Sequence, residues 1–364
     1  MRYLSEYRTP ELINKYLSIV RQITTDNWNI MEVCGGQTHA IFKFGIDRLV
    51  PQNIDLLHGP GCPVCVTPMK LIDQATSLSL NTDTILCTFG DMMRVPGSHG
   101  DLLSARAEGA DIRIVYSPLD AVALAQKTPE KNIVFFAIGF ETTAPGNGYS
   151  VLVADRLEIN NYSILCGMVR IPPAVNSLLG SPDCRIDALL APGHVCTITG
   201  LEDYKKLVSL YQIPIIATGF EPADLVQGIY MAVEQLEAGH AGLKNQYGRA
   251  VNEDGNRHAQ MIINEVFDVT DREWRGLGII KESGYTLKNK YTKYDAEHYL
   301  NNYHEKPYSK SKCIMADILS GRAKPDQCPE FTSECRPEHP LGPMMVSSEG
   351  VCSAYYKYRS NYEK

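Results

Sequence analysis

The chain has 364 residues, 44% of them hydrophobic, with 11 cysteines and a formal net charge of −7. That balance leaves no basic footprint for nucleic acid, and the apolar content is ample for two or three domains. An odd cysteine count with no apolar leader argues against a disulfide framework and sets a cytoplasmic, thiol-reducing expectation. The longest apolar runs, such as 133–138, are far too short to span a bilayer.

The first element is a helix: Thr9 as N-cap, Pro10 at the first position, and Leu12, Ile13, Tyr16, Leu17, Val20 and Ile23 as an apolar face. Eight short apolar runs follow, over 28–33, 54–57, 84–89, 112–116, 133–138, 164–169, 186–190 and 213–217. Unbroken runs of this length suit strands covered on both faces, as in parallel sheets. Helical stretches at 69–80, 101–109, 148–156 and 222–237 alternate with them, which predicts an α/β architecture.

A weak internal repeat suggests two related Rossmann-like lobes. FAIGFETT (136–143) and IATGFEPA (216–223) each place Gly-Phe-Glu after an apolar strand, and GPGCPVCVT (59–67) echoes APGHVCTIT (191–199). The expected division is 1–125 for the first helix and lobe, 126–250 for the second lobe, and 251–364 for a helical or irregular C-terminal domain.

That last domain carries Cys313, Cys328, Cys335 and Cys352, with gaps of 14, 6 and 16 residues. Four thiolates are the full ligand set for one [4Fe–4S] cluster or one structural zinc, and both remain open on spacing alone. The segment from Ser311 to Tyr358 is rich in Pro and Gly, so a metal centre would explain how it stays folded.

The other unusual residues fall at C-terminal strand ends, where open α/β sheets build their sites. Cys34 closes the first run, and Gly35 and Gly36 behind it let the backbone approach a ligand and offer amides to an anion. A soft thiolate near the imidazole of His39 suits low-valent iron, and a buried structural cysteine in a tight turn fits the same spacing. Cys62 and Cys65 form a CxxC, read as a redox dithiol activated by a helix starting near Thr67 or as half of a zinc site. Glu141 is the candidate base or carboxylate ligand of the GFE pair, and Glu221 the structural one. Cys87 and Cys166 sit inside apolar runs as inert core residues, Cys184 in an incidental turn. His194 and Cys196 follow another strand without an assigned role. No Walker loop or GxGxxG fingerprint is present, so nucleotide chemistry within this chain is not expected.

MEVCGGQTHAI, GPGCPVCVTP, TFGDMMRVPG, AIGFETTAP, APGHV and the quartet ending in VSSEGVCSAYYKY, taken in order, resemble the HypD family of [NiFe]-hydrogenase maturation factors. The resemblance implies two α/β lobes with parallel sheets plus a small C-terminal [4Fe–4S] domain, held by Cys313, Cys328, Cys335 and Cys352. It implies a scaffold on which an Fe(CN)2CO unit is assembled before delivery to the hydrogenase large subunit. Cys34 would hold that iron jointly with a HypC-type chaperone, and cyanide would arrive from a HypE-type partner. Cys62 and Cys65 would be a redox dithiol between cluster and iron, forming one short electron path. The family usually has histidine three residues after the first cysteine; here stands Gln37, and His39 is the retained imidazole. The competing class is an iron–sulfur thiol–disulfide reductase acting on a protein substrate; a third is a scaffold with a purely structural cluster.

Overall fold

The computed structural model describes residues 5–300 and 312–359; Ser311, at the head of the cysteine-bearing segment, lies outside them. The eight apolar runs all become strands: β1 (Trp28–Glu32), β2 (Ile54–His58), β3 (Thr84–Thr88), β4 (Ile112–Ile114), β5 (Asn132–Ala137), β6 (Tyr162–Cys166), β7 (Ala188–Pro192) and β8 (Ile215–Thr218). A short β9 (Leu243–Asn245) and an antiparallel pair, β10 (Phe267–Trp274) and β11 (Gly278–Leu287), complete the set.

Two separate parallel sheets result. One has five strands in the order β2-β1-β7-β8-β9, the other four in the order β4-β3-β5-β6. The architecture is α/β, as expected, but the sheets do not follow a cut at 125/126. β1 and β2 pair with β7–β9 from beyond that point, while β3 and β4 pair with β5 and β6. The four-stranded sheet is thus an excursion between β2 and β7. Fully buried strands all read as the same kind of apolar run, so nothing local says which partner each will choose. The echo between the segments after β2 and β7 lies within one sheet, flanking β1, rather than relating two lobes.

Alternation inside the buried strands assigns their faces. Met31, Leu189, Ile215 and Ala217 point to one side of the five-stranded sheet; Ile30, Leu190 and Ile216 point to the other, against helices Pro10–Ile23 and Pro222–Glu237. In the four-stranded sheet Cys87, Phe135 and Cys166 share one face, and Leu86, Val134, Phe136 and Leu165 the opposite one. Each such Ile, Leu or Phe stabilises the fold by about 1.5–3 kcal/mol relative to exposure.

The C-terminal part is not only helical and irregular. The β10–β11 hairpin sets Trp274 and Ile280 in the first core and Phe267, Tyr285 and Leu287 in the core of the other sheet, joining the two. The cysteine-bearing tail has no core of its own. Its Ile318, Met344, Met345, Val351 and Tyr355 pack into the five-stranded sheet's core together with Cys62 and Cys65. No helix among the described residues is long and apolar enough to cross a membrane.

Candidate functional site

Because β2, β1 and β7 are neighbours and all parallel, their C-terminal ends open on one edge of the sheet. Cys34 follows β1, Cys62 and Cys65 follow β2, and His194 and Cys196 follow β7. Strand order, not sequence proximity, brings them together.

Cys34 is 2% exposed and caps the helix Gly35–Phe44. Its sulfur lies 3.7 Å from His194 Nδ1. Burial pushes the Cys34 thiol far above its ordinary range, against the amides of Gln37 and Gly36, while the charges of Glu32 and Glu349 add to the rise. Burial also drives His194 down to about 4, so at neutral pH its imidazole is uncharged. A neutral imidazole at this distance can accept the thiol's S–H, and the thiol sheds its proton when a cation binds the sulfur.

The glycines after Cys34 are used differently from the expectation. The Gly35 amide donates to Gly61 O at 2.8 Å, and a side chain at Gly35 would collide with Glu349. The Gly36 amide serves the Cys34 sulfur, and a Cβ on Gly36 would stand 3.7 Å from that sulfur and 3.2 Å from the Phe220 ring. The diglycine therefore seats the thiol and the C-terminal segment.

Cys62 and Cys65 are joined as a disulfide, their Cα atoms 5.2 Å apart. The helix there begins at Pro63 rather than at Thr67, with Cys62 as N-cap and the Cys65 amide donating to Cys62 Sγ at 3.3 Å. Cys65 Sγ lies 3.8 Å from Pro343 O, so the dithiol abuts the tail between Cys335 and Cys352. The loop before it is packed without slack: a Cβ on Gly61 would stand 2.3 Å from Cys34 N.

His39 is held by the C-terminal segment. Its Nδ1 donates to Ser348 O at 3.1 Å, which leaves Nε2 to accept from the Tyr358 hydroxyl at 3.2 Å. The imidazole clamps the C-terminal helix Val351–Tyr358. Gln37 is fully buried; its Nε2 donates to Thr218 Oγ1 at 2.6 Å, tying the Cys34 helix to β8.

Glu141 follows β5 on the other sheet. It is 1% exposed, Oε1 accepts from the Ile171 amide at 2.9 Å, and burial raises its carboxyl to about 7. Its charged neighbours are Arg170 and Asp203, and its charge helps to raise the Cys196 thiol, past the end of β7. Glu221 binds Arg8 through both carboxylate oxygens. Cys87, at 0% exposure, and Cys166, whose thiol donates to Tyr285 O at 3.2 Å, are core residues.

In the tail, Cys328, Cys335 and Cys352 are buried and Cys313 partly so. They share one neighbourhood. Burial and the other three thiols together push Cys352 well above its ordinary range, and burial pushes Cys313 up to about 11, with Cys328 and Cys335 adding to it. The Leu341 amide donates to Cys335 Sγ at 3.4 Å, the kind of bond that stabilises a metal-bound sulfur. Among the described residues no three His, Cys, Asp or Glu side chains close to metal-ligand geometry, which leaves the chemistry of the donor set to consider. Its chemistry, four thiols and no oxygen or nitrogen ligand, fits an iron–sulfur cluster or zinc.

Glu32 and His58 were missed by sequence reasoning. Both are buried at the ends of β1 and β2, with His58 Nδ1 2.7 Å from Glu32 Oε1. A charged residue ending an otherwise apolar strand was the available signal.

A family model described as HypD, hydrogenase formation hypA family, matches residues 11–359. Hydrogenase maturation factor HypD of Escherichia coli (strain K12) is 45% identical over 367 residues, covering 99% of this chain and 98% of the relative. The HypD factors of Rhodobacter capsulatus and Cupriavidus necator are 40% and 42% identical, each covering 98% of this chain and 98% and 97% of the relatives. With this match running from the first helix through the last cysteine, the chain belongs to the HypD family of hydrogenase maturation factors.

Proposed function

We propose that this chain is a scaffold and redox protein for assembly of the Fe(CN)2CO unit of [NiFe] hydrogenase. Cys34 holds the iron jointly with a HypC-type chaperone, and cyanide comes from a HypE-type partner. The observation that carries the reading is the edge where Cys34, His194 and the Cys62–Cys65 pair meet on three adjacent strands.

The residues divide the work. Cys34 supplies a soft sulfur ligand, and the neutral His194 Nδ1 beside it can accept the thiol's hydrogen bond before iron binds. Cys62 and Cys65 take up two electrons and two protons in passing from disulfide to dithiol. Exposures of 2%, 4% and 1% for Cys34, Cys62 and Cys65 keep water from all three sulfurs. Cys313, Cys328, Cys335 and Cys352 would hold a [4Fe–4S] cluster, which supplies single electrons when bound.

The same burial disfavours a general thiol–disulfide reductase, whose attacking thiol must reach a sulfur of its protein substrate. The test is anaerobic co-purification with a HypC-type partner, followed by infrared spectroscopy and iron and sulfide analysis. Cys34→Ala should lose the CO and CN stretches and keep the tail's iron and sulfide. Stretches that survive in Cys34→Ala would sink the assignment.

A further inference from the structure

We propose that Glu32 and His58 are positioning residues that make the seat of the Cys34 thiol depend on the redox state of the Cys62–Cys65 pair. The proposal rests on the reading of Cys34 as the iron ligand.

Glu32 ends β1 at 1% exposure, and its carboxylate gathers donors from three elements. Oε2 accepts from the Cys34 amide at 2.9 Å. Oε1 accepts from the Thr38 hydroxyl, one turn into the cysteine-capped helix. It also accepts from His58 Nδ1 at 2.7 Å; a carboxylate only accepts here, so Nδ1 carries the proton. His58 is the last residue of β2, and Gly59-Pro60-Gly61 then leads directly to Cys62. One carboxylate therefore holds the iron-binding cysteine, its helix and the strand that delivers the dithiol.

Backbone contacts run in parallel. The Gly59 amide donates to Glu32 O at 2.8 Å, and the lack of a side chain at Gly61 lets that loop lie directly on the Cys34 backbone. On the far side the His58 ring lies 4.8 Å from Phe42, and Phe42 lies 5.2 Å from Tyr355, on the helix that carries Cys352. Opening the disulfide moves Cys62, the loop has no slack, and His58 and Glu32 pass the change to the Cys34 amide. A buried carboxylate with this donor set is costly to disturb, so the linkage is stiff.

The test uses the full chain before iron loading. Cys34 is alkylated with iodoacetamide and its rate read by peptide mass spectrometry, with the pair held oxidised or reduced. Dithiothreitol does the reduction, giving two electrons and two protons to the pair and closing to its own cyclic disulfide. In the native chain the two states should differ about tenfold in Cys34 rate, the scale of one charge-assisted hydrogen bond. In Glu32→Gln, which turns an acceptor toward donors into an NH2 group, the difference should fall below about twofold. His58→Gln should do the same. Thr38→Val keeps the carboxylate and serves if Glu32→Gln fails to fold; it should narrow the difference.

An equal rate in both states of the native chain overturns the proposal. So does a full difference in folded Glu32→Gln, or in Thr38→Val where that is the folded variant. The readout needs no iron, so loss of the iron reading through Cys34→Ala would be seen separately, in the infrared.

Discussion

The two parallel sheets are built alike and used differently. In the five-stranded sheet Cys34, Cys62 and Cys65 sit just past strand ends, on an edge shared with His194. In the four-stranded sheet Cys87 sits inside β3 and Cys166 is the closing residue of β6, both on one buried face. A thiol inside a strand is walled in by its own neighbours, whereas one past the strand end meets whatever adjacent strands deliver there. On the proposed reading, position along the strand, rather than residue type or burial, separates a chemical cysteine from a packing one.

The contrast can be broken most severely at the glycines that follow strands. Gly61→Ala would drive a Cβ into the Cys34 backbone and should cost at least about 3 kcal/mol, in the range of severe overpacking. At Gly90, just past β3, a Cβ would meet nothing closer than 3.7 Å, so Gly90→Ala should leave urea unfolding within about 0.5 kcal/mol of the parent. Equal losses at the two positions would erase the distinction between the edges.

Sensitivity to rising pH comes next. Glu141 has its carboxyl raised to about 7 by burial, so the folded chain binds a proton that the unfolded chain has released. Its contribution is therefore present below the ordinary carboxylate range and is lost as pH rises from about 4.5 to 7. The loss is of order 3 kcal/mol at most, and Glu141→Gln should flatten this part of a stability–pH curve. An unchanged slope in the variant would mean that another group carries the dependence.

Replacing core cysteine should matter less. Cys87→Ala removes a fully buried sulfur and should lower stability by about 1 kcal/mol without touching iron content. The smallest effect belongs to the exposed pair of Arg113, on β4, with Asp111 just before it: Arg113→Ala should stay within about 0.5 kcal/mol, less at high salt.

Eight of the nine strands of the two sheets were legible because continuous β-branched runs leave little else for those residues to do. The helix Pro222–Glu237 was equally plain, opened by Pro222 with Asp224 accepting from the Glu221 amide. The β10–β11 pair was not. FDVTDREW exposes most of its side chains, and its buried ends, Phe267 and Trp274, give too sparse a signal. Pairing was illegible for a different reason. The meeting of Cys34 with His194 depends on β1 choosing β7 over β3, a choice made by packing across the whole molecule. The contacts of His39 were illegible on the same account: Ser348 and Tyr358, more than 300 residues away in sequence, meet its two ring nitrogens.

The interleaving of the sheets also sets a timetable. A ribosome releases Cys34 and the dithiol early, then makes the whole four-stranded sheet before it reaches β7 and His194. At typical synthesis rates that interval lasts on the order of ten seconds. Throughout it β1 lacks its inner neighbour, and the pocket for the Cys34 thiol has no far wall. The tail that packs on the dithiol arrives last of all. On the proposed reading, a nascent chain is thus unable to present a finished metal seat, and capture of iron waits until translation is nearly over.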